Sequence, residues 1–233
     1  MAKIAAWGVH VFTASGLLAG FMALINIGEK DWQEAYLWLM LCFVIDGVDG
    51  TLARRFRVRE VLPHMDGKNI DYVIDFATYA IIPAYFFYMA EMAPGIWMYV
   101  CLGLILLSSA LYYGKTSMVA EEQFFVGFPV LWNLLVFYAF FVLDNQIWLN
   151  VAIVMVFAVL HFVPMKYAYP SRARQNFWLH LSASIAFFIG VTVILLAYPR
   201  KIPGLDWLMH AIGLYFMGMA IADTWFRKAV PTA

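Results

Sequence analysis

Long apolar stretches constrain this chain more than any other feature of its sequence. A helix needs about 20 largely apolar residues to cross the hydrocarbon core of a bilayer. Eight such stretches read along the chain, near residues 7–28, 33–54, 70–92, 95–114, 126–144, 147–166, 177–198 and 205–226. Most breaks between them hold Gly, Pro, Asn or charge: Gly28-Glu29-Lys30-Asp31, Ala93-Pro94-Gly95, Asp144-Asn145, Tyr169-Pro170-Ser171 and Pro203-Gly204. The connection between the fifth and sixth stretches is tight. The expectation is an all-α, polytopic transmembrane helical bundle of about eight spanning helices, with residues 1–233 forming a single integral membrane domain. Only 13% of the 233 residues are charged, against about 25% in an ordinary soluble domain. Almost no mass is left for extramembrane structure.

Basic residues orient the bundle, because cytoplasmic loops of membrane proteins carry an excess of Lys and Arg. With the N-terminus inside and the spans alternating, the cytoplasmic side receives Lys3, Arg54, Arg55, Arg57, Arg59, Lys68, Lys115, Lys166, Arg172, Arg174, Arg227 and Lys228. The outer side receives only Lys30, Arg200 and Lys201. That asymmetry favours an even number of spans and two cytoplasmic termini. The N-terminal stretch lacks a small-residue cleavage site followed by a soluble domain, so it is expected to stay as the first span. Lys plus Arg and Asp plus Glu balance at 15 each, which leaves no basic footprint for nucleic acid. Cys42 and Cys101 fall inside apolar runs with no metal-ligand spacing, as buried fillers do. Gly16 and Gly20 form one G-x-x-x-G, suited to close helix packing within the chain or between two copies.

Against this background, four aspartates stand out. Asp46 and Asp49 are three residues apart, and Asp71 and Asp75 are four apart. Each pair therefore projects from one face of its helix. A short basic connection turns the second helix back beside the first, so both pairs can converge near the cytoplasmic edge. A carboxylate at mid-membrane costs about 2.5–3.5 kcal/mol on insertion scales, and less near the interface. Four converging carboxylates also repel one another, and bound divalent cations are the best compensation. The all-oxygen ligand set selects hard ions such as Mg²⁺, Mn²⁺ or Ca²⁺, and the lack of interleaved His or Cys argues against zinc. Gly47, Gly50 and Gly67 beside the carboxylates leave room for a bulky phosphorylated ligand, or simply for helix packing.

These residues resemble the signature of the CDP-alcohol phosphotransferase family, D-x-x-D-G-x-x-A-R followed by G-x-x-x-D-x-x-x-D. Asp46, Asp49, Gly50, Ala53, Arg54, Gly67, Asp71 and Asp75 match every fixed position. The signature is specific but covers only about 30 of the 233 residues. The spacer between Arg54 and Gly67 is longer than is usual in that family. It looks like the branch of bacterial phosphatidylcholine synthases, as do the large number of spans and the stretch Phe125-Val126-Gly127-Phe128-Pro129-Val130-Leu131-Trp132-Asn133. The resemblance implies that Asp46, Asp49 and Asp71 ligate metal, two ions of Mn²⁺ or Mg²⁺, with Asp75 sharing a metal or acting as base. It implies that Gly50, Ala53, Arg54 and Gly67 line a pocket for the CDP group. It further implies transfer of the phosphatidyl group of CDP-diacylglycerol to choline with release of CMP, a bacterial inner-membrane location, a site facing the cytoplasm, and a homodimer.

Choline is a quaternary ammonium, and such cations are recognised by aromatic faces. Phe124, Phe125, Phe128, Trp132 and Tyr138, preceded by Glu121 and Glu122, lie on the expected cytoplasmic end of the fifth span. Part of this cluster is a candidate choline site, with Glu121 or Glu122 as counter-charge and Asn133 as a further contact. An interfacial aromatic belt and a solvated Glu pair describe the same residues. Asn133 serves equally as a bond to a partner helix. Lys166, Arg172 and Arg174 suit topology-setting charge or a lipid phosphate. His161 and His180 read as hydrogen-bonded packing residues, and Asp223 as a partner of Arg227 at i+4. Serine, inositol or glycerol phosphate remain alternative acceptors, and CDP-choline with diacylglycerol is the reverse assignment of substrates. An ion-coupled transporter is the alternative from another class. It is disfavoured by the missing internal repeat and by carboxylates at one edge rather than the midplane.

Overall fold

The structure is a computed structural model that describes residues 1–115, 119–120, 124–168 and 176–226, with the backbone alone at 119–120. Among these residues, six helices are long and apolar enough to cross a membrane: Ala2–Gly28, Trp32–Arg55, Gly67–Met89, Ile96–Tyr113, Phe177–Ala197 and Leu205–Phe226. We label α1 (Ala2–Gly28), α2 (Trp32–Arg55), α3 (Val58–Val61), α4 (Gly67–Phe76), α5 (Ile82–Met89) and α6 (Ile96–Tyr113) in the first half. A π-helical turn, Ala77–Ile81, joins α4 to α5 without a break. The second half holds α7 (Trp132–Phe137), α8 (Ile147–Leu160), α9 (Phe177–Ala197) and α10 (Leu205–Ile221). The outward positions are apolar too: Leu18, Phe21, Leu107, Leu111 and Leu214 are all exposed. A helix apolar all round suits lipid rather than water.

The fifth and sixth stretches depart from the expectation. They were predicted as full-length spans at 126–144 and 147–166, but their helices are shorter, Trp132–Val142 and Ile147–Leu160. The lost length is turn and irregular chain that runs into short strands at Val126 and Lys166. β1 (Val119–Ala120), β2 (Phe124–Val126) and β3 (Lys166–Ala168) form a small antiparallel sheet, in the order β1-β2-β3. Phe125 pairs with Val119 on one side and Tyr167 on the other. The fold is therefore mostly helical but not purely α. The cause lies at Gly127, where φ is +83°. A Cβ there would stand 2.2 Å from the His161 carbonyl oxygen, so only glycine lets the two backbones meet. The amide of Gly127 donates to Met165 O at 2.9 Å and that of Phe128 to Leu160 O at 2.9 Å. These bonds and the sheet satisfy backbone groups that helix would otherwise satisfy, which apolar surroundings demand. The tight link holds as expected, with Asp144 and Asn145 both left-handed at φ +57° and +50°.

The chain divides into two compact units. The first comprises Met1–Leu102 and Leu131–Phe137. Within it α1 packs along α2, α4 and α5. Gly16 lies against Ile74 and Ile45, and Gly20 against Ile82 and Thr78, so the G-x-x-x-G serves packing inside the chain. Asp31 caps α2 by accepting from the Glu34 amide at 3.1 Å. The Arg54–Gly67 spacer contains α3, whose Val58 is buried with Ala6 and Val9 of α1. The long spacer is thus used to seat a helical turn against α1.

The second unit comprises Gly103–Val130 and Tyr138–Ala233. Met165, Tyr167 and Ala220 form a core joined by Phe125, Phe128 and Met217. The half-buried Lys115 amine donates to Val126 O at 3.2 Å and His161 O at 3.3 Å, and lies 4.9 Å from the Tyr112 ring centroid. Burial holds its pKa below the ordinary lysine value. His180 bonds the Tyr215 hydroxyl at 3.1 Å and stacks on Phe216, while His161 stacks on Phe128. Both histidines pack against aromatic rings, and the expected ring hydrogen bond is shown for His180. Asp223 is buried, and its expected partner Arg227 lies outside the described residues, as do Arg172 and Arg174.

Candidate active site

Asp46 and Asp49 lie in the second half of α2, and Asp71 and Asp75 on consecutive turns of α4. The Asp66 carboxylate starts α4 by accepting from the Lys68 amide at 3.0 Å, which fixes where the second pair begins. Helices α2 and α4 both pack against α1, and this common neighbour brings the two pairs together. One carboxylate oxygen from each of Asp46, Asp49 and Asp71 lies within 4.8 Å of the others. Oxygens around one hard cation, at 2.0–2.6 Å from it, sit at most about 5 Å apart. The three aspartates therefore fit a single hard divalent ion. Asp75 lies outside that trio but close enough to feel the charges of Asp46, Asp71 and Asp49.

The remaining signature residues surround this centre unequally. Arg54 is exposed, and its Nη2 donates to Thr51 Oγ1 at 3.1 Å. Gly50 lies beside it, where a Cβ would stand 3.5 Å from Arg54 Nη1. A Cβ on Gly47 would meet nothing within 4 Å, so helix packing does not require that glycine. Gly67 is different: a Cβ there would stand 3.3 Å from His10 Cε1. Ala53 is half-buried against the Ala6, Val9 and Val58 core.

Two supporting groups were missed by the sequence reading. The Tyr79 hydroxyl donates to Asp46 Oδ2 at 2.6 Å. Its ring is buried and packs edge-on against Phe43 at 5.8 Å. The Thr13 hydroxyl on α1 lies near the Asp49 carboxylate, which is only 8% exposed. Such partners fix the orientation of carboxylate ligands. Tyr79 carried a signal, since it follows Asp75 by one turn on the same face. Thr13 carried none, because only tertiary packing brings α1 beside α2.

The candidate choline residues that the structure describes fall in both units. Phe124 and Phe128 belong to the second unit. The Lys166 ammonium lies 5.5 Å from the Phe124 ring centroid. Phe128 is enclosed by Phe157 at 4.6 Å, Tyr167 at 5.4 Å and His161 at 5.9 Å. Trp132 and Asn133 belong to the first unit and are both buried. The Asn133 carbonyl accepts from Tyr36 at 3.2 Å, and its Oδ1 accepts from the Leu134 amide at 3.0 Å. The tie to α2 therefore runs through the Asn133 main-chain carbonyl, while its side-chain oxygen bonds within α7. Glu121 and Glu122 lie outside the described residues.

No family model matches the chain. Relatives do. A phosphatidylcholine synthase of Pseudomonas aeruginosa is 39% identical over 227 residues, covering 96% of this chain and 95% of that protein. One of Rhizobium meliloti is 34% identical over 214 residues, covering 92% and 88%. One of Bradyrhizobium diazoefficiens is 35% identical over 236 residues, covering 97% and 84%. Likeness of this extent, over almost the whole of both chains, places the protein in the phosphatidylcholine synthase family.

Proposed function

We propose that this protein makes phosphatidylcholine by transferring the phosphatidyl group of CDP-diacylglycerol to choline. The observation that carries the reading is the convergence of Asp46, Asp49 and Asp71 within 4.8 Å, in a chain with relatives of that name. Asp46, Asp49 and Asp71 would share one Mg²⁺ or Mn²⁺ ion, with Asp75 and the second expected ion at their flank. Bound there, such an ion neutralises charge on phosphate oxygens. Gly50, Ala53, Arg54 and Gly67 line the CDP pocket, the open face at Gly47 admits the donor, and the exposed Arg54 offers its guanidinium to a phosphate.

The choline hydroxyl oxygen bonds to the phosphatidyl phosphorus. The bond from that phosphorus to the CMP oxygen breaks, and CMP leaves with the electron pair. Asp75 takes the hydroxyl proton, which suits a carboxylate beside the metal trio rather than in it. Phe124, Phe128, Trp132 and Asn133, with Glu121 and Glu122, remain the proposed choline contacts. Phe124 is the best supported, since its face already receives an ammonium. The whole chain acts as one catalytic domain, with about eight membrane segments, both termini in the cytoplasm, an inner-membrane location in a bacterium, a cytoplasm-facing site and a homodimeric state.

The test is CMP release by purified protein given CDP-diacylglycerol, Mn²⁺ or Mg²⁺, and a panel of alcohols. Release is expected with choline, abolished by EDTA and restored by either metal. No CMP with any alcohol sinks the enzyme reading. Release with serine but not choline sinks the acceptor.

A further inference from the structure

His10 lies on the face of α1 that also carries Ala6, Val9 and Thr13, all four buried. Thr13, one turn along, lies near the Asp49 carboxylate. Ala6 and Val9 pack with Val58, and Ala53 and Leu52 lie against that cluster. The His10 ring itself rests on Gly67, with Cε1 at 3.3 Å and Nδ1 at 3.8 Å from the position of a Cβ there. Trp7 closes its other flank edge-on at 6.1 Å between ring centroids. His10 is thus held among residues that border the proposed CDP pocket.

The ring is only 6% exposed, yet its Nε2 has no hydrogen-bond partner among the described residues. Buried polar atoms are nearly always bonded, and one left unmet is costly. At an ordinary packing position a leucine or phenylalanine would avoid that cost. The ring that carries this orphan nitrogen rests on Gly67, at the first turn of α4 and one turn ahead of Asp71, where a ligand in the proposed pocket can meet it. The ligand at this place is anionic and oxygen-rich, which calls for a donor.

We propose that His10 is a further substrate-binding residue, whose Nε2–H donates to an oxygen of the CMP moiety of the donor lipid. This rests on the CDP-diacylglycerol reading of the pocket. Gly67 is then glycine partly to admit the ring of His10. The contact is made to the part shared by CDP-diacylglycerol and released CMP, so it acts on binding in both.

The test compares His10→Phe, His10→Ala and His10→Asn in the full-length protein. His10→Phe keeps the ring volume and removes the donor. It is expected to raise the KM for CDP-diacylglycerol and the Kd for CMP about tenfold or more, while leaving kcat and the KM for choline near wild type. His10→Asn keeps an N–H donor and recovers part of that loss. A folded His10→Phe or His10→Ala protein that binds CMP like wild type overturns the proposal. So does a variant whose only change is higher or lower thermal stability. Wild-type protein that neither binds CMP nor releases it from CDP-diacylglycerol sinks the underlying functional reading instead.

Discussion

Asp75 differs from the other three aspartates in its surroundings rather than in its chemistry. Asp46, Asp49 and Asp71 bring oxygens within 4.8 Å of one another, while Asp75 only flanks them. Its proposed task, taking a proton, therefore separates from theirs, holding a metal. Asp75→Asn keeps the shape and removes the base, so kcat should fall by about 10²–10⁴-fold with CMP affinity near wild type. Stopped turnover with CMP binding also lost would make Asp75 chiefly a metal ligand. Tyr79→Phe offers the contrast. It deletes the 2.6 Å bond to Asp46, and loss of such a supporting bond costs about 10–100-fold in metal affinity. The Mn²⁺ concentration for half-maximal activity should rise accordingly, and excess Mn²⁺ should restore the rate. Asp75→Asn should not respond to added metal.

At the scale of elements, one glycine decides where helix yields to strand. Gly127 has φ +83° and stands where a Cβ would be 2.2 Å from backbone oxygen. A left-handed backbone costs a non-glycine residue about 1–2 kcal/mol before any clash. Gly127→Ala should therefore destabilise by more than about 2 kcal/mol, read as a drop of at least about 4 °C in the melting of detergent-solubilised protein. Gly20→Ala meets only the flexible ends of Ile82 and Thr78 and should cost less. Equal melting of wild type and Gly127→Ala would remove the sheet-anchoring role. Hydropathy could not reveal this sheet, because Phe124–Val126 and the residues that follow are apolar in either conformation. The long helices were legible for the opposite reason, since no other structure satisfies the backbone of an extended apolar run.

At the scale of the whole molecule, the basic residues order the proposed topology. Twelve of the fifteen Lys and Arg fall on one side when the stretches alternate. Green fluorescent protein fused after Ala233 should fluoresce, and alkaline phosphatase at that position should stay inactive. Alkaline phosphatase placed after Lys201, in the loop before α10, should be active. Activity after Ala233 would reverse the orientation and move the aspartates to the outer face. The two short apolar helices, Trp132–Val142 and Ile147–Leu160, flank the turn at Asp144 and Asn145, so the same fusion placed at Asn145 reports whether they cross.

The sequence by itself determined the class of fold and the chemical type of the site. Apolar length forces helices in a bilayer, and the spacings of Asp46 with Asp49 and Asp71 with Asp75 put each pair on one helix face. Tertiary structure decided which carboxylates actually meet, because that depends on how α2 and α4 dock against α1. It also set Tyr79 and Thr13 beside them, placed Trp132 and Asn133 in the first unit's packing, and left the Nε2 of His10 without a partner among the described residues. Only Tyr79 has a trace in the spacing, one turn after Asp75; the others depend on residues of different helices meeting.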